Sequence, residues 1–307
     1  MGELFILGAM ALDLALGWPG WLYRAVGHPV GLFAWLIDRA RRYGNRAGFA
    51  PGTKRVFGIL TVAMLVLVAG GGAWGLQNLA QALPGSTLWL AILAWPGLAM
   101  RSLDDHVRAV WRPLKMGDEP QARRAVGMIV GRDTAQLDAD GVARAAIESL
   151  AESFCDGIVA PLFWLVALGL PGLWVYKALN TADSMIGHPE PDLRDFGWAA
   201  ARSDDVANWI PARLSGALLC MMGGGWRIMW RDCRRHASPN AGWPEAAMAG
   251  AIHARLAGPI SYDGVLRDKP WIGDGPPAGL AQLARALSVY RRGCALMFVL
   301  VGFLWLR

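Results

Sequence analysis

The run from Val56 to Leu76, VFGILTVAMLVLVAGGGAWGL, carries no charged side chain. A chain crossing hydrocarbon must satisfy its backbone hydrogen bonds internally, and about 20 apolar residues are the length a helix needs to do so. A membrane-spanning helix is predicted here, so the rest of the chain is read with a bilayer as one of its solvents. Composition agrees: 54% of the 307 residues are hydrophobic and 18% charged, with 16 Trp and 38 Gly. Indoles favour the membrane interface and Gly permits close helix packing. These values exclude a disordered tail protein and an all-polar soluble binder.

Further apolar segments are Phe5–Trp18, Leu88–Met100, Gly157–Tyr176, Trp209–Trp230 and Cys294–Leu306. Phe5–Trp18 lacks a basic leader and a small-residue cleavage site, so it reads as a retained anchor. Gly157–Tyr176 is interrupted by Pro161 and Pro171, and Trp209–Trp230 carries Arg213 and Arg227. Such segments are expected to be partial, tilted or re-entrant. The expected fold is all-α: a polytopic integral membrane protein with about four to six membrane-embedded helices plus cytoplasmic amphipathic helices. It is read as a single integrated domain over 1–307, with cytoplasmic-side helical insertions at about 101–156 and 231–292.

Basic residues fix the orientation. Gly20–Arg55 holds seven Lys or Arg, Arg101–Asp156 eight and Arg231–Arg292 nine, which places these segments in the cytoplasm. This distribution at the ends of apolar runs also argues against nucleic acid as a partner. Gln77–Thr87 is uncharged and is expected to be the outer loop. Lys177–Asp205 has three basic and six acidic residues, so a serpentine path puts it outside.

Polar clusters stand out against this background. Asp138 is expected to start a helix carrying Arg144, Glu148, Glu152 and Asp156 at four-residue steps, on one face. Like charges at that spacing repel, so the stripe suits a cation; a solvated face with Arg144 as partner is the alternative. Lys177, Asn180, Thr181 and Ser184, with Asp183 adjacent, form a helical stripe directly after an apolar segment. Arg202, Asp204, Asp205, Asn208 and Arg213 repeat the pattern. Such groups are costly to bury unsatisfied, so they call for a polar ligand or a mutual salt-bridge network. Ser238–Glu245 reads as a tight loop leading into a small-residue helix, with Pro244 near its first turn.

Other patterns carry less. Gly70–Gly75 satisfies G-x-G-x-x-G but lies inside the predicted span, where it serves helix packing. No P-loop is present, so any ATP must be held by another cradle. Cys155, Cys220, Cys233 and Cys294 lack metal-type spacing. His28, before Pro29, is a turn residue or a ligand contact.

Several motifs occur together: His28-Pro29-Val30; Gly131-Arg132-Asp133-Thr134; Glu148-Ser149 with Glu152 and Asp156-Gly157; Tyr176-Lys177-Ala178 with Asn180-Thr181 and Asp183-Ser184-Met185; Ala200-Ala201-Arg202 with Asp204-Asp205; Pro211-Ala212-Arg213; and Ser238-Pro239-Asn240-Ala241-Gly242. In these the chain resembles, over nearly its whole length, the adenosylcobinamide-phosphate synthases of cobalamin biosynthesis, CobD or CbiB. It departs from the family pattern at Ser153, where Asn is usual after the second Glu, and at His188, often Tyr; neither change removes a carboxylate.

The resemblance implies a multi-pass inner-membrane enzyme with its active site on the cytoplasmic side. The implied reaction joins aminopropanol, generally as its phosphate, to the remaining propionate carboxyl of adenosylcobyric acid at the expense of ATP. ATP and Mg²⁺ are the expected cofactors; the two substrates and the lipid bilayer are the expected partners, and association with other cobalamin-assembly enzymes is left open. Within that reading, Glu148, Glu152, Asp156 and Asp183 are expected to hold Mg²⁺, while Lys177, Arg132, Arg202 and Arg213 offset phosphate charge. Asp204 or Asp205 would take the proton from the attacking ammonium. His28, Asn180, Thr181, Ser184 and Asn240 are the further binding candidates. This chemistry requires Lys177–Asp205 on the cytoplasmic side, hence a path in which Gly157–Tyr176 and the segment after Val206 enter the membrane without fully crossing. The competing classes are a transporter, for which no inverted repeat is visible, and a corrinoid-binding membrane anchor.

Overall fold

The structure is a computed structural model that describes residues 4–188, 190–262 and 265–305. In chain order its helices are α1 (Leu4–Leu16), α2 (Gly20–Val26), α3 (Val30–Gly44), α4 (Pro51–Ala82), α5 (Ser86–Ala94), α6 (Met100–Met116), α7 (Glu119–Gly127), α8 (Ala139–Phe154), α9 (Ala160–Ile186), α10 (Trp198–Ala207), α11 (Trp209–Gly223), α12 (Trp226–Asp232), α13 (Gly242–Ile252) and α14 (Leu280–Trp305). Four short strands, β1 (Leu256–Ala257), β2 (Ile260–Tyr262), β3 (Val265–Arg267) and β4 (Trp271–Ile272), pair antiparallel as β1 with β4 and β2 with β3. The protein is an all-α, multi-pass membrane protein with two small hairpin-like sheets between α13 and α14.

Among the described residues, three helical stretches are long and apolar enough to cross a bilayer: Pro51–Ala82, Ala139–Ile186 and Leu280–Phe303. A fourth exists if α1 and α2, bent by 108°, act as one broken span. Leu306, included in the last apolar segment above, lies outside the described residues. The expected segments Leu88–Met100 and Trp209–Trp230 are pieces too short to cross. The second breaks where Gly224 and Gly225 adopt φ 78° and 94°, conformations that Gly takes without strain.

The chain divides into two compact units: unit 1 is 1–99, 160–208 and 301–307, and unit 2 is 100–159 and 209–300. In unit 1, α4 starts with Pro51 at its first position and continues to Ala82. The expected outer loop Gln77–Thr87 is thus corrected to the short turn at 83–85. QNLAQA contains no breaker, so the helix runs on until Pro84-Gly85 stops it. The break in α9 falls at Gly169 (φ 69°, ψ −155°), just before Pro171, and not at Pro161. Pro161 follows the π-helical turn Cys155–Val159, where the α register is already interrupted.

Unit 1 also decides which end of α4 the acidic segment occupies. Leu170 N–H donates to Gln77 Oε1 (2.9 Å), near the C-terminal end of α4. At the other end, Asn45 Nδ2 donates to the Asp192 carbonyl (2.9 Å) and Arg55 pairs with Asp195 (3.0 Å). A Cβ at Gly58 would overlap the Phe196 carbonyl. The limb after Gly169 therefore leads back to the basic end of α4, and residues 192–196 share that end with Arg55.

Unit 2 is built on α8, whose small and aliphatic residues from Val142 to Phe154 are buried almost all round. Asp138 caps it, accepting from Gly141 N–H at 2.8 Å, as its position before the apolar run predicts. Phe154 meets the Tyr290 ring edge-on at 5.9 Å, and Tyr290 Oη donates to the Met100 carbonyl (2.6 Å), tying α8, α14 and α6 together. The α6 helix buries Met100, Leu103, Val107 and Val110, a helical spacing that turns its basic face outward.

Candidate functional site

Unit 2 contains a polar cavity of about 240 Å³, lined by Arg132, Glu148, Ser149, Glu152, His236, Glu245, Ala257, Gly258 and Lys269 among others. Glu148 is buried on α8 and has three partners. Arg132 Nη2 donates to its Oε2, the Ala257 N–H donates to Oε1 at 2.7 Å, and Arg144 Nε lies 3.9 Å away. Ala257 has φ 58°, a left-handed conformation rare for a residue with a Cβ. Strain of this kind persists where the surroundings hold it, here the hydrogen bond to Glu148.

Glu245 enters the same cavity from the first turn of α13. Burial, with Glu148 and Glu152 nearby, pushes its carboxyl well above the usual carboxylate range. Its Oε2 has no hydrogen-bond partner among the described residues. His236 Nε2 stands 3.6 Å from Glu245 Oε1, while its Nδ1 accepts the Ser238 N–H at 3.0 Å. Burial first, then Lys269, lowers the His236 pKa, which favours the neutral ring. The cavity thus combines two fixed cations, Arg132 and Lys269, with three carboxyl groups.

The π-helical turn Cys155–Val159 follows α8, so the stripe does not continue in α register to Asp156, which is not among the cavity's lining residues. Arg213 and Asn240, also in unit 2, form a separate pair. Arg213 Nη1 donates to Asn240 Oδ1 at 3.4 Å, and its guanidinium lies over the rings of Trp209 and Trp243.

Unit 1 holds the second cluster. Tyr176 Oη donates to Asn208 Oδ1 (3.0 Å), Asn208 Nδ2 donates to Asp204 Oδ2 (3.0 Å), and Asn180 Nδ2 approaches Asp204 Oδ1 at 3.4 Å. Among the described residues, both Asp204 oxygens therefore face amides and no cation. Burial, and then the neighbouring Asp183, pushes the Asp204 carboxyl up to about 7. Asp205 is paired with Arg202 at 3.0 Å, and burial still raises its pKa. Asp183 packs against Gly187, where a Cβ would strike its Oδ1. The hydroxyls of Thr181 and Ser184 donate to the carbonyls of Lys177 (2.6 Å) and Asn180 (2.9 Å), one turn back on α9. This is the ordinary behaviour of hydroxyls inside a helix. His28 lies apart, in a cavity of about 770 Å³ walled by Trp18, Tyr23, Trp95 and Trp174. Its Nδ1 accepts the Val30 N–H at 3.2 Å, and burial followed by Lys177 lowers its pKa.

Among the described residues no group of three or more His, Cys, Asp or Glu is arranged to hold a metal ion. A Mg²⁺ ion would fit Glu148 and Glu152 only as a carboxylate pair, its usual protein share when phosphate oxygens and water complete the shell. His236, Glu245 and Lys269 are not among the candidate residues that the sequence singles out. A signal for Glu245 was present: it is the one charged residue in GWPEAAMAGAI, an otherwise apolar helix. A lone acid in such a helix needs a reason to be there.

The chain matches the family model described as CobD/Cbib protein over residues 6–290. The cobalamin biosynthesis protein CobD of Rhodobacter capsulatus is 49% identical over 299 residues, covering 96% of this chain and 94% of the relative. The protein of the same name from Rhizobium meliloti (strain 1021) is 44% identical, with 96% and 94% covered. That of Geobacter metallireducens is 43% identical, with 88% and 86% covered. No solved structure matches the chain. With a family match across nearly the whole sequence and relatives this similar along almost their full length, the chain belongs to the CobD/Cbib family of cobalamin biosynthesis.

Proposed function

We propose that the protein is an ATP-dependent amide ligase of the inner membrane, joining aminopropanol phosphate, or aminopropanol itself, to the propionate carboxyl of adenosylcobyric acid on the cytoplasmic side. The single observation that carries this reading is the unit 2 cavity, where Arg132 and Lys269 stand among Glu148, Glu152 and Glu245. A carboxylate is not attacked by an amine until one of its oxygens becomes a leaving group. Phosphorylation achieves this: the propionate oxygen bonds to the γ-phosphorus of ATP, the bond to ADP breaks, and an acyl phosphate forms. The amine then adds to the acyl carbon and inorganic phosphate departs.

Phosphoryl transfer depends on cations placed around oxygens, the role that suits Arg132 and Lys269. Mg²⁺, when bound, would offset phosphate charge, with Glu148 and Glu152 as its protein ligands. The ammonium must lose its proton to become nucleophilic. In unit 1, Asp204 has the property such an acceptor needs, a carboxyl that exchanges its proton near neutral pH. The Trp-walled cavity beside His28 has the apolar character that the face of a corrinoid requires.

The test is turnover by protein purified in detergent and supplied with adenosylcobyric acid, aminopropanol phosphate and Mg-ATP, with free aminopropanol in a parallel reaction. Amide product together with ADP is expected. Corrinoid binding without turnover would instead make the protein an anchor. Glu152→Ala in unit 2 and Asp183→Ala in unit 1 should each abolish the reaction; wild-type rates in both would remove these residues from the proposed chemistry. Cysteine labelling at position 192 checks the side of the membrane, and reactivity confined to the periplasm would defeat a cytoplasmic active centre.

A further inference from the structure

Six cations, Arg39, Arg41, Arg42, Arg46, Lys54 and Arg55, fall within seventeen residues, with Asp38 the nearest acid in sequence. Some have internal roles: Arg42 pairs with Asp38 at 2.6 Å, Arg55 with Asp195 at 3.0 Å, and Arg39 and Arg46 lie over the Tyr43 ring. Arg41 and Lys54 have no ion-pair partner among the described residues. Both line a cavity of about 530 Å³ in unit 1, together with Asp38, Arg42, Asn45 and Asp192.

Lys54 and Arg55 stand in the opening of α4, which has no acidic residue in its first turn and no side-chain cap. Cations at a helix N-terminus oppose its dipole, while an anion there is favoured by the dipole and by the unpaired N–H groups. The cavity's three cations outnumber its two carboxylates, Asp38 and Asp192, and Asp38 is taken up by Arg42, so the surplus positive charge and the helix end favour the same ligand charge. Immediately beyond Arg55, Val56, Ile59 and Leu60 are exposed on the apolar α4. Trp35 and Tyr43 are exposed on α3, residue types that favour the headgroup level. A ligand with an anionic head and hydrocarbon tails would meet cations and apolar side chains in that order.

We propose that this cavity is a binding site for the phosphodiester headgroup of an anionic glycerophospholipid, with Arg41 and Lys54 as the phosphate contacts and the exposed face of α4 beside the acyl chains. The site is independent of the ligase reading and concerns unit 1 alone.

Native mass spectrometry of the full-length protein, delipidated and returned to mixed micelles of phosphatidylglycerol and phosphatidylcholine in equal amounts, tests it. The wild type should retain phosphatidylglycerol preferentially. Arg41→Gln with Lys54→Gln should lower that retention by roughly fivefold per charge removed. Arg112→Gln with Arg124→Gln removes the same charge from exposed positions in unit 2 and should leave retention unchanged. Equal loss in both double variants, or no lipid preference in the wild type, would overturn the site. A rise in thermal midpoint with glycerol 3-phosphate as large as with phosphatidylglycerol would assign the cavity to a free phosphate ligand and also reject the lipid. If the double variant does not fold, Lys54→Gln alone should show the single-charge loss, and full retention in it would reject the proposal.

Discussion

Glu148 and Asp204 are both buried carboxyl groups on helices, and their neighbours treat them in opposite ways. Glu148 has guanidinium groups and a backbone N–H around it, which compensate a negative charge. Among the described residues, Asp204 has two side-chain amides and no cation at its oxygens, and its carboxyl rises to about 7. Burial alone does not set the character of an acid; the charge of what replaces water does. One cluster is equipped to hold charge in place and the other to let a proton come and go.

The largest effect expected from this contrast is on turnover. Asp204→Asn preserves shape but cannot take a proton, so turnover should fall by about 10²- to 10⁴-fold, the range for loss of a general base. In the wild type, activity should rise as pH increases through about 7, where Asp204 ionises. Stability should move the other way. The native carboxyl holds its proton where the unfolded one, near 3.8, has lost it, so this contribution is full below about 4 and disappears as pH climbs through about 7. Thermal unfolding across that interval checks the sign, and the trend should be weaker in Asp204→Asn, where Glu245 and Asp205 still contribute to it.

Next in size is Arg132→Ala, which strands Glu148 as a buried charge and should destabilise by about 3 kcal/mol or more. Glu148→Gln with Arg132→Met should recover part of the loss; equal damage in single and double variants would show that the pair is not the unit. Gly58→Ala forces a methyl against the Phe196 carbonyl, which is backbone and cannot swing aside. A cost of about 1–3 kcal/mol is expected, read as a lower midpoint of thermal unfolding. Smallest is Tyr176→Phe, which removes the donor to Asn208 and should cost about 1 kcal/mol. It sharpens the comparison if the activity profile shifts on the pH axis, because Asn208 is one of the two amides that touch Asp204.

Several elements were legible without coordinates. The uncharged run Val56–Leu76 had to be a helix, since no other local structure satisfies its backbone in lipid. Asp138 announced the start of α8, and the residues around Lys177 and Asp204 were marked as costly polar groups. The end of α4 was misplaced because an uncharged segment says nothing about where a helix stops; Pro84-Gly85 did. Local composition also left open the role of each hydroxyl, and Thr181 and Ser184 proved to be bonded within their own helix.

The amino-acid order by itself determined that this chain lives in a membrane, which segments are helical and which polar groups stand out from an apolar setting, because hydropathy, periodicity and capping act over a few residues. Only the tertiary structure decided that Glu245, His236 and Lys269 join Glu148 across 121 residues of chain from Glu148 to Lys269, and that Asp204 meets amides where Glu148 meets arginine. Charge compensation depends on distance in space, and segments far apart in sequence supply it.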